Sequence, residues 1–270
     1  MYAQRWLVLA MAIVSISACG KKQEASAPPA APAESTAAPA GASSVDAALA
    51  NPARLAGDTA EDAWRGTAAV LKFLDVKPGA RVVDYFSAGG FNTELLSYIV
   101  GPEGQVIAYN NPPYLKFAEE KATKRYEGNR LANVAQLTTP PEEAPFEPNS
   151  LDAALFVLSY HDLYWRAKDG SWPVTDPAKS LARLVPALKS GAVVVVVDHA
   201  AKAGSDPLKE VDATHRIDPA VVKRDFEAAG LTFDGELDAL RNSADDYAKP
   251  VFDPAVQHKT DRFVMRFKKP

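Results

Sequence analysis

The chain has 270 residues, 47% of them hydrophobic, 24% charged and 9% aromatic, with a net charge of −4. These proportions belong to an ordinary globular protein and exclude a wholly disordered chain, a fibrous repeat and a polytopic membrane protein. The acidic balance leaves no electrostatic footprint for nucleic acid, and a single cysteine, Cys19, excludes an internal disulfide.

Residues 1–18 carry Arg5 and then a short apolar run from Trp6 to Ile16. That run is shorter than the roughly 18–20 residues a bilayer-spanning helix needs, so it reads as an export signal. Ile16-Ser17-Ala18-Cys19 resembles a bacterial lipobox, in which small residues precede the cysteine that is lipidated after cleavage. The alternative is an uncleaved anchor with an incidental cysteine. Residues 19–45 are mostly Ala, Pro and Ser, with too little apolar surface to offset the entropy of ordering. They read as a tether, and 46–270 as the folded domain. Gly20 follows the cysteine, which points to the periplasmic face of the outer membrane, with the lipid anchor as the only membrane contact.

Within the domain, strands and helices alternate. Asp58 and Glu61 suggest a capping box, followed by Trp64, Ala68, Leu71 and Leu74 at helical spacing. Arg81 to Tyr85 is a β-branched run, Ser87 to Gly90 a small-residue loop, and Asn92 to Ile99 a helix. Gln105 to Tyr109 is a second strand, Pro113 to Tyr126 a helix, Asn133 to Leu137 a third strand, and Leu151 to Ser159 a fourth. Pro177 to Leu188 is a helix whose last turn Pro186 should disturb. The five valines Val193 to Val197 lack alternation, as in a central strand covered on both faces. Asp218-Pro219 starts a helix that stops at Gly230. Leu231 to Leu237 and Arg262 to Lys268 can pair as antiparallel edge strands. This alternation predicts an α/β fold with a mostly parallel seven-stranded sheet, helices on both faces and an antiparallel C-terminal edge. Ligands of such sheets bind beyond the C-terminal strand ends.

Val83-Asp84-Tyr85-Phe86-Ser87-Ala88-Gly89-Gly90-Phe91 resembles motif I of class I S-adenosylmethionine-dependent methyltransferases. Val76 to Ala80, Gly104 to Tyr109, Ser150 to Leu155 and Leu184 to Val197 resemble that family's following segments in the same order. More narrowly, Gly89 to Glu94, Tyr109 to Pro112, Tyr160 to Leu163 and His215 to Asp218 are similar to a group of exported methyltransferase-like proteins. The resemblance implies a Rossmann-like class I methyltransferase fold and S-adenosylmethionine as cofactor. It places Asp84, Phe86, Ser87, Ala88, Gly89, Gly90, Phe91, Asn110, Asn111 and Tyr160 at the cofactor. Two departures stand out: Asn110 occupies the position of the ribose-binding carboxylate, and Thr138-Thr139-Pro140-Pro141 occupies that of an adenine-binding acid.

His161-Asp162 leaves the fourth strand and Asp198-His199 the fifth. His161 is the first candidate to act on substrate as a general base, Asp162 its orienting partner and His199 its competitor. Each histidine could instead be a hydrogen-bonded loop residue. Together with His215 they could also converge on a metal, although no helical i, i+4 pair exists and no metal is expected. Tyr160, Tyr164, Trp165 and Trp172 divide between core and the wall of an apolar substrate pocket. Arg54, Asp58, Asp62 and Arg65 form either a salt-bridged solvated face or a lid. The expected function is that of an exported, lipid-anchored methyltransferase-like protein acting on a small molecule; a noncatalytic ligand-binding or envelope interaction protein on the same fold is the alternative. The lipobox is testable by fractionation: Cys19→Ser should release the protein from the membrane fraction or leave the precursor uncleaved. Unchanged processing and membrane association would contradict it.

Overall fold

In the computed structural model, residues 44–270 are described. The expected cleavage site, the expected lipidation at Cys19 and the expected tether up to residue 43 lie outside them. The described chain runs α1 (Ser44–Leu49), α2 (Asp62–Arg65), α3 (Thr67–Leu74), β1 (Arg81–Tyr85), α4 (Phe91–Val100), β2 (Gln105–Asn110) and α5 (Pro112–Tyr126). It continues β3 (Val134–Thr138), β4 (Leu151–Val157), α6 (Pro177–Leu184), β5 (Leu188–His199), α7 (Pro207–Thr214), α8 (Pro219–Ala228), β6 (Thr232–Glu236) and β7 (Arg262–Lys268). The sheet order is β3-β2-β1-β4-β5-β7-β6. The first five strands are parallel, and β7 pairs antiparallel with both β5 and β6. The expected α/β architecture is therefore present. One refinement is that β7 lies inside the sheet and only β6 forms the edge.

The valine run shows how the sheet builds two cores. Val194 and Val196 pack on one face with Leu181, Leu184, Val222 and Phe226. Val195 and Val197 pack on the other with Leu71, Leu74, Leu95 and Leu96. Alternation along one strand thus feeds both layers. Tyr85, Phe156, Phe226 and Phe267 extend the first face as an aromatic row, with ring centroids 4.4 Å apart for Tyr85–Phe156 and 4.7 Å for Phe226–Phe267.

Several local expectations need correction. Val45, assigned to the tether, is buried in α1 against the second core. The single helix expected after Asp58 is broken. A 3-10 turn over Asp58–Glu61 leads into α2, and Gly66, at φ 60°, separates α2 from α3. No capping box forms, because Asp58 turns its carboxylate to Arg125, 2.8 Å away. β4 ends at Val157, two residues early, where Leu158 takes a left-handed φ of 56°. The α7 helix was not expected; Asp206 caps it by accepting from the Leu208 and Lys209 amides. As expected, Pro186 ends α6 in a 3-10 turn.

The turn into β2 depends on close approach. A Cβ at Gly104 would stand 2.5 Å from the Val100 Cβ and 2.8 Å from the Ala80 carbonyl oxygen. Gly104→Ala should therefore cost about 1–3 kcal/mol through overpacking. An unchanged melting temperature would contradict this.

Candidate functional site

The parallel strands end together on one side of the sheet, and a cavity of about 860 Å³ opens there. Its floor is the β1–α4 loop, with Asp84, Phe86, Ser87, Ala88, Gly89 and Phe91 all lining it. Tyr114, Ala118, Lys121 and Arg125 of α5 form one wall. His161 and Asp162, which follow β4, and His199, the last residue of β5, form another with Trp165, Trp172 and His215. Asp58, Glu61 and Arg65 close over it from the N-terminal side, and Val251 and Phe252 from a late loop.

The floor is held in a costly shape. Phe86 and Ala88 have φ of 56° and 49°, a left-handed conformation that non-glycine residues disfavour by roughly 1–2 kcal/mol each. Four of the nine non-glycine residues with positive φ among the described residues line this cavity: Phe86, Ala88, Leu158 and His215. Strain of this kind concentrates at functional sites. It is sustained here by Asn110, whose Oδ1 accepts from the Ala88 amide at 2.9 Å. Its Nδ2 donates to Ser87 Oγ at 3.1 Å and to the Ala88 carbonyl at 3.3 Å.

Asn110 therefore braces the loop and does not line the cavity. Asn111 does not line it either: it is fully buried and caps α5, accepting from the Tyr114 amide at 2.8 Å. Tyr160 sits in the core and donates to Asp225 at 3.0 Å. Gly90 also stands off the cavity. A Cβ there would lie 2.3 Å from the Tyr126 hydroxyl and 2.8 Å from Arg125 Cδ, so its glycine is required by helix packing.

Two polar constructions frame the floor. Arg125, with a side chain 2% exposed, donates from Nε to the Gly89 carbonyl at 2.5 Å and from Nη1 to Asp58 at 2.8 Å and to Glu94. It ties the loop, the N-terminal lid segment and α4 to α5. Burial works against the charge on Glu94, but hydrogen bonds from Arg130 and Tyr98 and the nearby Arg125 hold its carboxyl below the ordinary range. On the floor, Asp84 accepts from Thr93 Oγ1 at 2.6 Å, and burial pushes its pKa up to about 6. The N-terminal face is salt-bridged as expected but not solvated throughout, since Arg54 is buried. Arg54 and Asp62 form a two-pronged ion pair at 2.6 and 2.8 Å away from the cavity, while Asp58, Glu61 and Arg65 cover it.

The histidines differ in state. The His161 ring sits between two carboxylates, with Nδ1 2.7 Å from Asp198 Oδ1 and Nε2 3.4 Å from Asp162 Oδ1. Burial alone would lower its pKa, but Asp162 and Asp198 raise it to about 9. The two carboxylates favour the charged ring, with Nδ1 engaged by Asp198, whereas the expectation was of a neutral general base. Asp162 also accepts from the Tyr114 hydroxyl at 2.6 Å. His199 is neutral: burial, opposed in part by Asp198, lowers its pKa to about 3, and its Nδ1 meets Thr260 Oγ1 at 2.7 Å. Burial and the charge on His161 lower His215 to about 4. Among the described residues, no three His, Cys, Asp or Glu side chains are grouped to hold a metal ion. Sequence reasoning missed Arg125 and Phe252 as cavity residues, because their roles depend on contacts across 36 or more positions along the chain.

Comparison with known proteins agrees with this geometry. The family model of protein-L-isoaspartate(D-aspartate) O-methyltransferase matches residues 47–147, just over a third of the chain, ending before β4 and the histidines. A SAM-dependent methyltransferase from Aquifex aeolicus is 19% identical with a TM-score of 0.54, covering 77% of this chain and 92% of that one. The YcgJ protein of Bacillus subtilis is 16% identical with a TM-score of 0.51, covering 74% and 96%. The [4+2]-cyclase SpnF is 17% identical with a TM-score of 0.52, covering 77% and 80%. No curated protein matches in sequence. The resemblance to class I methyltransferases read from the sequence is borne out, and the fold is theirs.

The charge on His161 links stability to pH. Its folded pKa of about 9 exceeds the ordinary histidine value of 6.5, so its contribution is complete below pH 6.5 and is lost as pH rises through 9. The span corresponds to on the order of 3 kcal/mol. The melting temperature should fall between these pH values, and His161→Gln should flatten that slope. A wild-type curve level across this range would contradict the assignment.

Proposed function

We propose that the domain is a small-molecule methyltransferase that uses S-adenosylmethionine. The observation that carries this reading is the cavity at the parallel strand ends, floored by the strained motif-I-like loop. The donor set fits such a cofactor in most respects. Ser87, Ala88 and Gly89 offer a loop that a ligand can approach closely, and Asp84, Asp58 and Glu61 offer carboxylates to a cationic ligand. Tyr114 and Phe117 on α5 add aromatic surface to that wall of the cavity. The ribose position departs from the family, since the Asn110 amide is engaged by the loop. When bound, the cofactor supplies an electrophilic methyl group. The protein's part is to exclude water, orient the acceptor and hold its proton, and catalysis of this kind depends mostly on positioning.

Localisation belongs to the same reading. The lipobox and tether support an envelope protein held by a lipid at Cys19, with the domain on the periplasmic face of the outer membrane. Among the described residues no helix is long and apolar enough to cross a membrane. The family match stops at residue 147, so the acceptor of that family is not carried over to this chain.

Titration calorimetry tests the cofactor. S-adenosylmethionine or S-adenosylhomocysteine should bind the purified protein, and Ala88→Trp, which fills the cavity floor, should abolish binding with the melting curve still cooperative. Failure of the parent protein to bind either at millimolar ligand would overturn the enzyme reading in favour of a noncatalytic binding protein. Asn110→Asp should not tighten binding but should lower stability, since a carboxylate cannot donate to Ser87 and the Ala88 carbonyl.

A further inference from the structure

Three imidazoles face the cavity, and two are held by hydrogen-bonding neighbours at Nδ1. His161 is held by Asp198 and Asp162, and His199 by Thr260. The ring nitrogens of His215 form no hydrogen bond with any described residue. Its ring is nonetheless fixed in place, with centroids 5.4 Å from Trp165, 5.0 Å from Phe252 and 5.7 Å from His161. The backbone beneath it is at φ 55°, the left-handed end of α7.

The surroundings of His215 are aromatic and partly uncovered. Trp165 meets Trp172 edge-on at 5.0 Å, and Trp172 meets Tyr114 at 5.2 Å. Phe252 is 63% exposed although it touches His215. A large ring left open beside a concave wall marks a binding surface. The segment bearing it is firmly seated. Buried Arg216 donates to the Lys249 carbonyl at 3.1 Å and to Asp245 at 2.7 Å, and the Val251 amide donates to the Thr214 carbonyl at 3.1 Å.

We propose that His215, Trp165, Trp172 and Phe252 form the acceptor subsite, and that it takes a planar aromatic molecule bearing a hydroxyl group that donates to the His215 imidazole. The ring lies against the aromatic wall, and the hydroxyl meets the imidazole that stands in that wall with both ring nitrogens unengaged. An apolar ligand without a donor would leave that nitrogen dry and unpaired, which is where selectivity arises. The word acceptor rests on the methyltransferase reading; the binding site itself does not.

Calorimetric titration with 2-naphthol and with 2-methoxynaphthalene, with no cofactor present, tests this. The naphthol should bind about tenfold more tightly, the difference of one hydrogen bond. His215→Gly, which suits the left-handed backbone, should bring the two affinities together. Phe252→Ala should weaken both equally and keep their ratio. Equal affinities in the parent protein, selectivity that survives His215→Gly, or no binding of either probe would overturn the proposal. Because the cofactor is left out, these outcomes are separate from failure to bind S-adenosylmethionine.

Discussion

A carboxylate with no exposed surface, Asp198 at the end of β5, decides what the cavity can do. Such a charge persists only if its oxygens are fully served. Here the His161 amide donates at 2.9 Å, the His161 ring lies at 2.7 Å and the His199 amide donates at 2.8 Å. These contacts fix the turn after β4 and make His161 positive. Burial, reinforced by that positive charge, keeps His215 and His199 neutral. One acid on a rigid central strand, together with burial, divides three chemically identical side chains into a fixed cation, a braced neutral ring and an unengaged neutral ring.

The loop below them follows a different logic. Phe86 and Ala88 adopt a backbone that suits glycine, and the Phe86 ring stacks on Tyr114 at 4.8 Å and on Tyr109 at 5.7 Å. Packing of that size and the Asn110 amide together offset the strain. The result is a loop ordered before any ligand arrives, so binding has little conformational entropy left to remove. Arg125 extends the same rigidity to the lid, since displacing Asp58 would leave a buried guanidinium short of a partner.

Much of this was legible in the sequence. The valine run, the Asp218-Pro219 helix start and the strand–loop–helix around Asp84 each announced their element through local chemistry. The cavity floor and the His161–Asp162 and Asp198–His199 pairs fell where the strand ends placed them. What could not be read were choices between partners. Asp58 had a plausible cap to make and instead met an arginine 67 positions away. Asn110 was visible as a departure, but an amide facing a ligand and an amide bracing a loop have the same sequence. The charge of His161 depended on Asp198, 37 positions away on β5, meeting a ring that already had Asp162 beside it, and no local spacing encodes that contact.

The position of β7 has a consequence for how the chain must come together. Residues 262–268 lie between β5 and β6 and pair with both. Until that segment is available, β5 is a strand of five valines with one row of amides and carbonyls open, and β6 has no neighbour in the sheet. An unpaired valine edge is the kind of surface that recruits other strands. A chain cut short before residue 262 would leave that edge exposed, so the last strand of the sequence also serves to cover the sheet's most adhesive edge.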